Sequence, residues 1–82
     1  MLTVTVISPE AVLFEGETDS VVVPAFDGEV GILTGHAPMM TLLGKGLLRL
    51  GADGARRFQV SGGFLQVAEN VVRVVTEHAS PA

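Results

Sequence analysis

The sequence predicts an all-β domain, an antiparallel sandwich or barrel, and three features say so. Apolar residues fall in short runs rich in Val, Ile and Leu, several alternating with polar residues at the two-residue period of a half-buried strand. Gly, Pro, Asn or Asp marks most of the gaps between those runs. No segment repeats its apolar residues at the spacing of a helix face. Short strands separated by turn signals favour a sandwich or barrel over a layered α/β fold.

Taken in order, Leu2, Val4 and Val6 alternate with Thr3 and Thr5, which gives a first strand with one buried face. Ser8-Pro9-Glu10 ends it, since Pro has no N–H for a ladder. Residues 11–18 form a second run, interrupted at Gly16, and residues 20–26 a third. Within the third, Val21-Val22-Val23 is apolar on both faces, as in a strand covered on two sides. Asp27-Gly28 is a turn. A short strand over 29–33 leads into the Thr34-Gly35-His36 loop, and a strand over 39–43 ends at a tight turn, Gly44-Lys45-Gly46. Residues 47–50 and 56–60 flank a hairpin turn at Ala52-Asp53-Gly54. Ser61-Gly62-Gly63 breaks the chain again, as a strand corner. Residues 64–68 and 71–76 form a last hairpin around Glu69-Asn70, and residues 77–82 are expected to fray. The total is about eight to ten short strands.

Composition narrows the function. A chain of 82 residues makes one domain, 1–82, with a modest core, and its 48% apolar content supports folding. Without Cys there are no disulfides and no thiolate metal sites. The net charge is −4, and Lys45, Arg49, Arg56, Arg57 and Arg73 are scattered, so nucleic acid is not an expected partner. No basic leader precedes Leu2 and no apolar run is long enough to span a bilayer, so neither a signal peptide nor membrane insertion is expected.

Candidate chemistry begins with the histidines, His36 and His78. A small hydrolase would use His36 with Ser61, but Ser61 lacks the strand–turn–helix setting of a nucleophile elbow. A metal reading would join His36 to Asp27 or Glu29, short of three convergent ligands. No Gly-rich loop precedes Lys-Ser or Lys-Thr, so there is no phosphate cradle. A sandwich that binds a small ligand such as a sugar would need stacking rings, and Trp and Tyr are absent. Neither a cofactor nor a small-molecule substrate is expected.

The most informative stretch is residues 28–40, in which His36 stands beside Ala37-Pro38 and before Met39-Met40. Pro38 biases Ala37 towards extended geometry and stiffens the loop that presents His36. Paired Met residues suit either an adaptable protein-contact surface or core filling.

That stretch reads Gly-Glu-x-Gly-Ile-x-x-Gly-His-Ala-Pro over 28–38 and resembles the epsilon subunit of bacterial F-type ATP synthases, called delta in mitochondria. Leu13-Phe14-Glu15-Gly16 with Val21-Val22-Val23-Pro24 is similar to the family's opening strands. Ser61-Gly62-Gly63-Phe64-Leu65-Gln66-Val67 with Asn70-Val71-Val72 is similar to its closing strands. The three matches occur in order, and the resemblance covers nearly all of residues 2–79.

The resemblance implies a flattened sandwich of about ten strands at the foot of the central stalk, with no catalysis of its own. It implies that His36, Ala37, Pro38, Met39 and Met40 face the gamma subunit, and that Asp27, Gly28, Glu29 and Val30 face the polar loops of the membrane c-ring. The setting would be the cytoplasmic face of the bacterial inner membrane, in a rotor that supports proton-coupled ATP synthesis. Thr34 stands where many members have Pro. The family's C-terminal helical hairpin has no counterpart in these residues, so neither its inhibition of ATP hydrolysis nor its ATP binding is expected.

Overall fold

A computed structural model describes residues 1–51, 53–54 and 56–82. Its regular elements are all strands: β1 (Leu2–Ile7), β2 (Val12–Thr18), β3 (Ser20–Ala25), β4 (Gly28–Leu33), β5 (Met39–Leu42), β6 (Lys45–Leu50), β7 (Arg56–Ala68) and β8 (Val71–Pro81). Hydrogen bonding runs in the order β2-β1-β8-β7-β6-β3-β4, with β5 paired to β7.

One continuous sheet becomes a sandwich because β7 and β8 turn a corner together. The last part of β7 pairs with β5 from Met39↔Val67 to Leu42↔Phe64. Its first part pairs with β6 from Lys45↔Ser61 to Leu50↔Arg56. One layer is therefore β2, β1, early β8, late β7 and β5. The other is late β8, early β7, β6, β3 and β4.

The corner is Gly62-Gly63, whose φ angles are 73° and 107°. A Cβ on Gly63 would run into the Val75 carbonyl oxygen, so no other residue fits there. The buried side of β7 changes phase across the corner, from Phe58 and Val60 to Leu65 and Val67.

This corrects several sequence expectations. Among the described residues there are eight strands, the low end of the range read from the residues and fewer than the ten that the resemblance implied, because β7 and β8 each serve both layers. Ser61-Gly62-Gly63 bends a strand without ending it. Residues 77–81 do not fray; they pair with early β7, as in Val60↔Ala79 and Phe58↔Pro81. Gly16 does not interrupt β2 and pairs with Val4. Lys45 and Gly46 belong to β6, leaving Gly44 outside it. The sheet is not wholly antiparallel, since β1 and β8 run parallel from Thr3↔Val71 to Ile7↔Val75. A parallel pair needs no local turn, so short-range sequence signals could not announce it. The expected Ala52-Asp53-Gly54 turn includes Ala52, which lies outside the described residues; beside it, the Gly54 N–H donates to the Gly51 carbonyl at 3.1 Å.

The core is aliphatic, as the composition required. Leu2, Val4, Val6, Val21, Val23, Ile32, Leu48, Val60, Leu65, Val67, Val72 and Val74 are almost wholly buried. Fully burying each such side chain is worth about 1.5–3 kcal/mol before the entropy of ordering it is set against the gain. Thr76 is also buried. Its hydroxyl donates to the His78 carbonyl at 2.9 Å, so this buried polar side chain at the corner is satisfied.

Candidate docking surfaces

β4 carries a loop at each end, and its six residues hold them roughly 17 Å apart. The two ends are built differently.

The first end is the β3–β4 turn at Phe26 and Asp27. Pro24↔Glu29 and Ala25↔Gly28 close the hairpin beneath it. The Phe26 N–H donates to the Leu42 carbonyl at 3.0 Å, which ties the turn to the end of β5. Phe26, Asp27, Gly28 and Glu29 are all exposed. Glu29 already has a partner: Arg49 Nη2 lies 3.2 Å from its Oε1 and 3.3 Å from its Oε2. Arg49 reaches Glu29 from β6 across β3, where it opposes Val22. The two side chains are 39% and 57% exposed, so the pair contributes at most about 1 kcal/mol. Asp27 has no charged partner among the described residues. Val30 points the other way along the strand and packs, half-buried, against the core.

The second end is the loop over residues 34–38. The His36 N–H donates to the Leu33 carbonyl at 3.0 Å, closing a turn in which Gly35 has a φ of 87°. The Gly35 N–H donates to Asn70 Oδ1 at 2.7 Å, fastening the loop to the β7–β8 turn. His36 is half-exposed, and its Nδ1 lies 2.7 Å from the Ala37 carbonyl oxygen, to which the Nδ1-protonated tautomer donates. Ala37 and Pro38 are exposed. The Met pair divides by strand alternation: Met39 packs against the core, while Met40 is 67% exposed. The core-filling reading therefore holds for Met39, and Met40 is left at the surface.

Of the residues named from sequence, Asp27, Gly28 and Glu29 share one exposed end and His36, Ala37, Pro38 and Met40 reach the surface at the other, while Val30 and Met39 turn to the core. His36 and Ser61 are not brought together. Ser61 sits at the strand corner opposite His78, whereas His36 is fastened at the β7–β8 turn. Among the described residues no group of three His, Asp or Glu side chains converges as a metal site would require.

Sequence reasoning missed an apolar row on the outer face of the β5-containing layer. Leu42 opposes Phe64, Phe64 opposes Val75, Val75 opposes Ile7, and Ile7 opposes Val12. Leu42 and Val12 are mostly exposed and Phe64 is 37% exposed. A groove of about 590 Å³ follows this row, walled by Ile7, Pro9, Leu42, Phe64 and Val75 with Glu77 beside them. The signal was present in Met39-Met40-Thr41-Leu42-Leu43, whose apolar residues occupy both phases of a strand that buries only one face. Exposed apolar patches of this kind mark partner surfaces.

The fold defines a small all-strand sandwich domain with two exposed loops and an exposed apolar row. Comparison with known proteins then places it: the chain belongs to the ATP synthase delta/epsilon family, whose β-sandwich domain matches residues 1–82. It is 44% identical over 80 residues to the ATP synthase epsilon chain of Leptospira borgpetersenii, covering 96% of this chain and 63% of that one. It is 47% identical over 77 residues to the epsilon chain of Rhodopirellula baltica, covering 93% of this chain and 60% of that one. The chain thus spans about three-fifths of the length of these relatives. Among solved structures, a chain of the Euglena gracilis mitochondrial ATP synthase (OSCP/F1/c-ring) superposes with a TM-score of 0.87 at 26% identity, over 98% of this chain and 52% of that one. A chain of the Tetrahymena thermophila mitochondrial ATP synthase central stalk and c-ring gives 0.79 at 16% identity, which speaks for the fold alone, over 98% and 66%. The family resemblance read from residues 28–38 is borne out.

Proposed function

We propose that this chain is a non-catalytic coupling subunit in the central stalk of a proton-translocating F-type ATP synthase. In this reading the loop at residues 34–38, with Met40 and the apolar row beyond it, seats the gamma subunit. The turn with Asp27, Gly28 and Glu29 meets the polar loops of the c-ring. The rotor would lie at the cytoplasmic face of the bacterial inner membrane. The observation that carries the proposal is the placement of two unlike loops at opposite ends of one strand within a closed sandwich, in a member of the delta/epsilon family.

The physical fit is direct. A coupler must pass force between two partners without folding away, and a sandwich whose two layers share β7 and β8 suits that task. The apolar end would gain affinity from buried area at about 25 cal/mol per Å². The acidic end would gain register and encounter rate from charge complementarity with basic c-ring loops. Val30 and Met39 support these surfaces from beneath, because both pack on the core.

Co-purification of the chain with gamma and with c-rings tests the proposal. Association with both at low and moderate salt is expected. No association with either under both conditions would overturn it.

A further inference from the structure

The loop at residues 34–38 is short and lacks regular pairing of its own, yet it is held at both ends. Downstream, Met39 enters β5 and pairs with Val67. Upstream, the loop opens on the turn closed by His36 and Leu33, with Gly35 at its third position. In a turn of this kind the N–H of the third residue points away from the turn's own hydrogen bond and needs an outside acceptor. Asn70 Oδ1 supplies it at 2.7 Å, from 35 residues away in the chain.

Asn70 is suited to the task by its own backbone. It occupies the second position of the β7–β8 turn at a φ of 63°, following Glu69 at 50°. Asn enters that left-handed region more readily than most residues. Its carbonyl oxygen accepts the Thr3 N–H at 2.8 Å. One residue therefore joins three segments: the start of β1, the β7–β8 turn and the loop that carries His36 and Pro38.

We infer that Asn70 is a positioning residue for this loop: its side-chain oxygen fixes the Gly35 peptide and with it the direction in which His36, Ala37 and Pro38 meet a protein partner. The inference rests on the reading of that loop as the gamma-facing surface. In this role Asn70 acts through the loop, by preorganisation: a loop already in its bound shape loses less freedom on docking.

Two variants of the full chain separate the latch from the turn. N70G keeps the left-handed backbone and the Thr3 bond but removes the side-chain acceptor. N70D keeps an acceptor oxygen at the same reach. Three readouts apply: amide exchange at Gly35, the urea unfolding midpoint, and affinity for purified gamma. In N70G, Gly35 exchange is expected to rise about tenfold and gamma affinity to fall about three- to tenfold, with the midpoint near that of the parent chain. N70D is expected to restore both exchange and affinity. Unchanged Gly35 exchange in N70G, or gamma affinity equal to the parent's despite faster exchange, would overturn the role of Asn70. Failure of the parent chain itself to bind gamma would instead overturn the docking reading of the loop.

Discussion

Backbone hydrogen bonds hold both ends of β4, but at one end a side chain from a distant turn fastens the loop, and at the other the side-chain contact is an exposed ion pair. The Gly35 N–H, the His36 N–H and the Met39–Val67 pairing leave the 34–38 loop little choice of direction. The Phe26-Asp27 turn is tied to the end of β5 by Phe26 N–H to Leu42 and, beneath it, by Gly44 N–H to Pro24, while the Glu29 carboxylate beside it is held by the Arg49 pair, which water and salt weaken. The comparison teaches what each kind of contact is good for. A backbone latch gives a fixed shape for an apolar partner. A solvent-exposed carboxylate that already has a weak partner can exchange it for another cation, at a strength that follows ionic strength.

The largest expected effect removes the comparison altogether. Gly63→Ala places a methyl against the Val75 carbonyl at the corner shared by both layers, in a backbone conformation that disfavours any side chain. It is expected to cost about 3 kcal/mol or more in urea unfolding, and to impair both ends alike. A variant as stable as the parent would show that the corner can relax and that stiffness does not come from it.

Next in size is a crossover between the two ends. Met40→Asp is expected to weaken gamma binding about tenfold or more while leaving c-ring attachment within about twofold. Glu29→Lys is expected to do the reverse, with its loss greatest at low salt. Because Met40 and Glu29 are both exposed, neither change should move stability by more than about 0.5 kcal/mol. Equal losses of both partners in either variant would contradict the division of labour.

The smallest effect sharpens the acidic end. Arg49→Ala frees the Glu29 carboxylate from its internal partner. Stability should change by less than about 0.5 kcal/mol. At low salt, c-ring association should rise about two- to threefold, and the gain should vanish at high salt as exposed charges are screened. A loss of association would mean that Arg49 orients Glu29 instead of competing for it.

Much of this was legible in the residues. The alternation of Leu2, Val4 and Val6 gave β1, Glu69-Asn70 gave the β7–β8 turn, and Asp27-Gly28 gave the β3–β4 turn one residue too late, because each signal is local. The residues of both candidate loops could be named from the 28–38 motif. The tether between Gly35 and Asn70 could not, since nothing in either segment points to the other. The apolar row escaped for the same reason: Leu42, Phe64, Val75 and Ile7 become neighbours only once strands distant in the chain are paired.

By itself, then, the sequence determined the fold class, most strand positions, the aliphatic character of the core and the family, since these follow from side-chain period, turn chemistry and motif. Tertiary structure decided that β7 and β8 run unbroken through a glycine corner, that β1 joins β8 in parallel, and that Glu29 has Arg49 and Gly35 has Asn70. Those outcomes depend on which distant backbones come within hydrogen-bonding reach. That is a property of the folded sheet and not of any stretch of chain read alone.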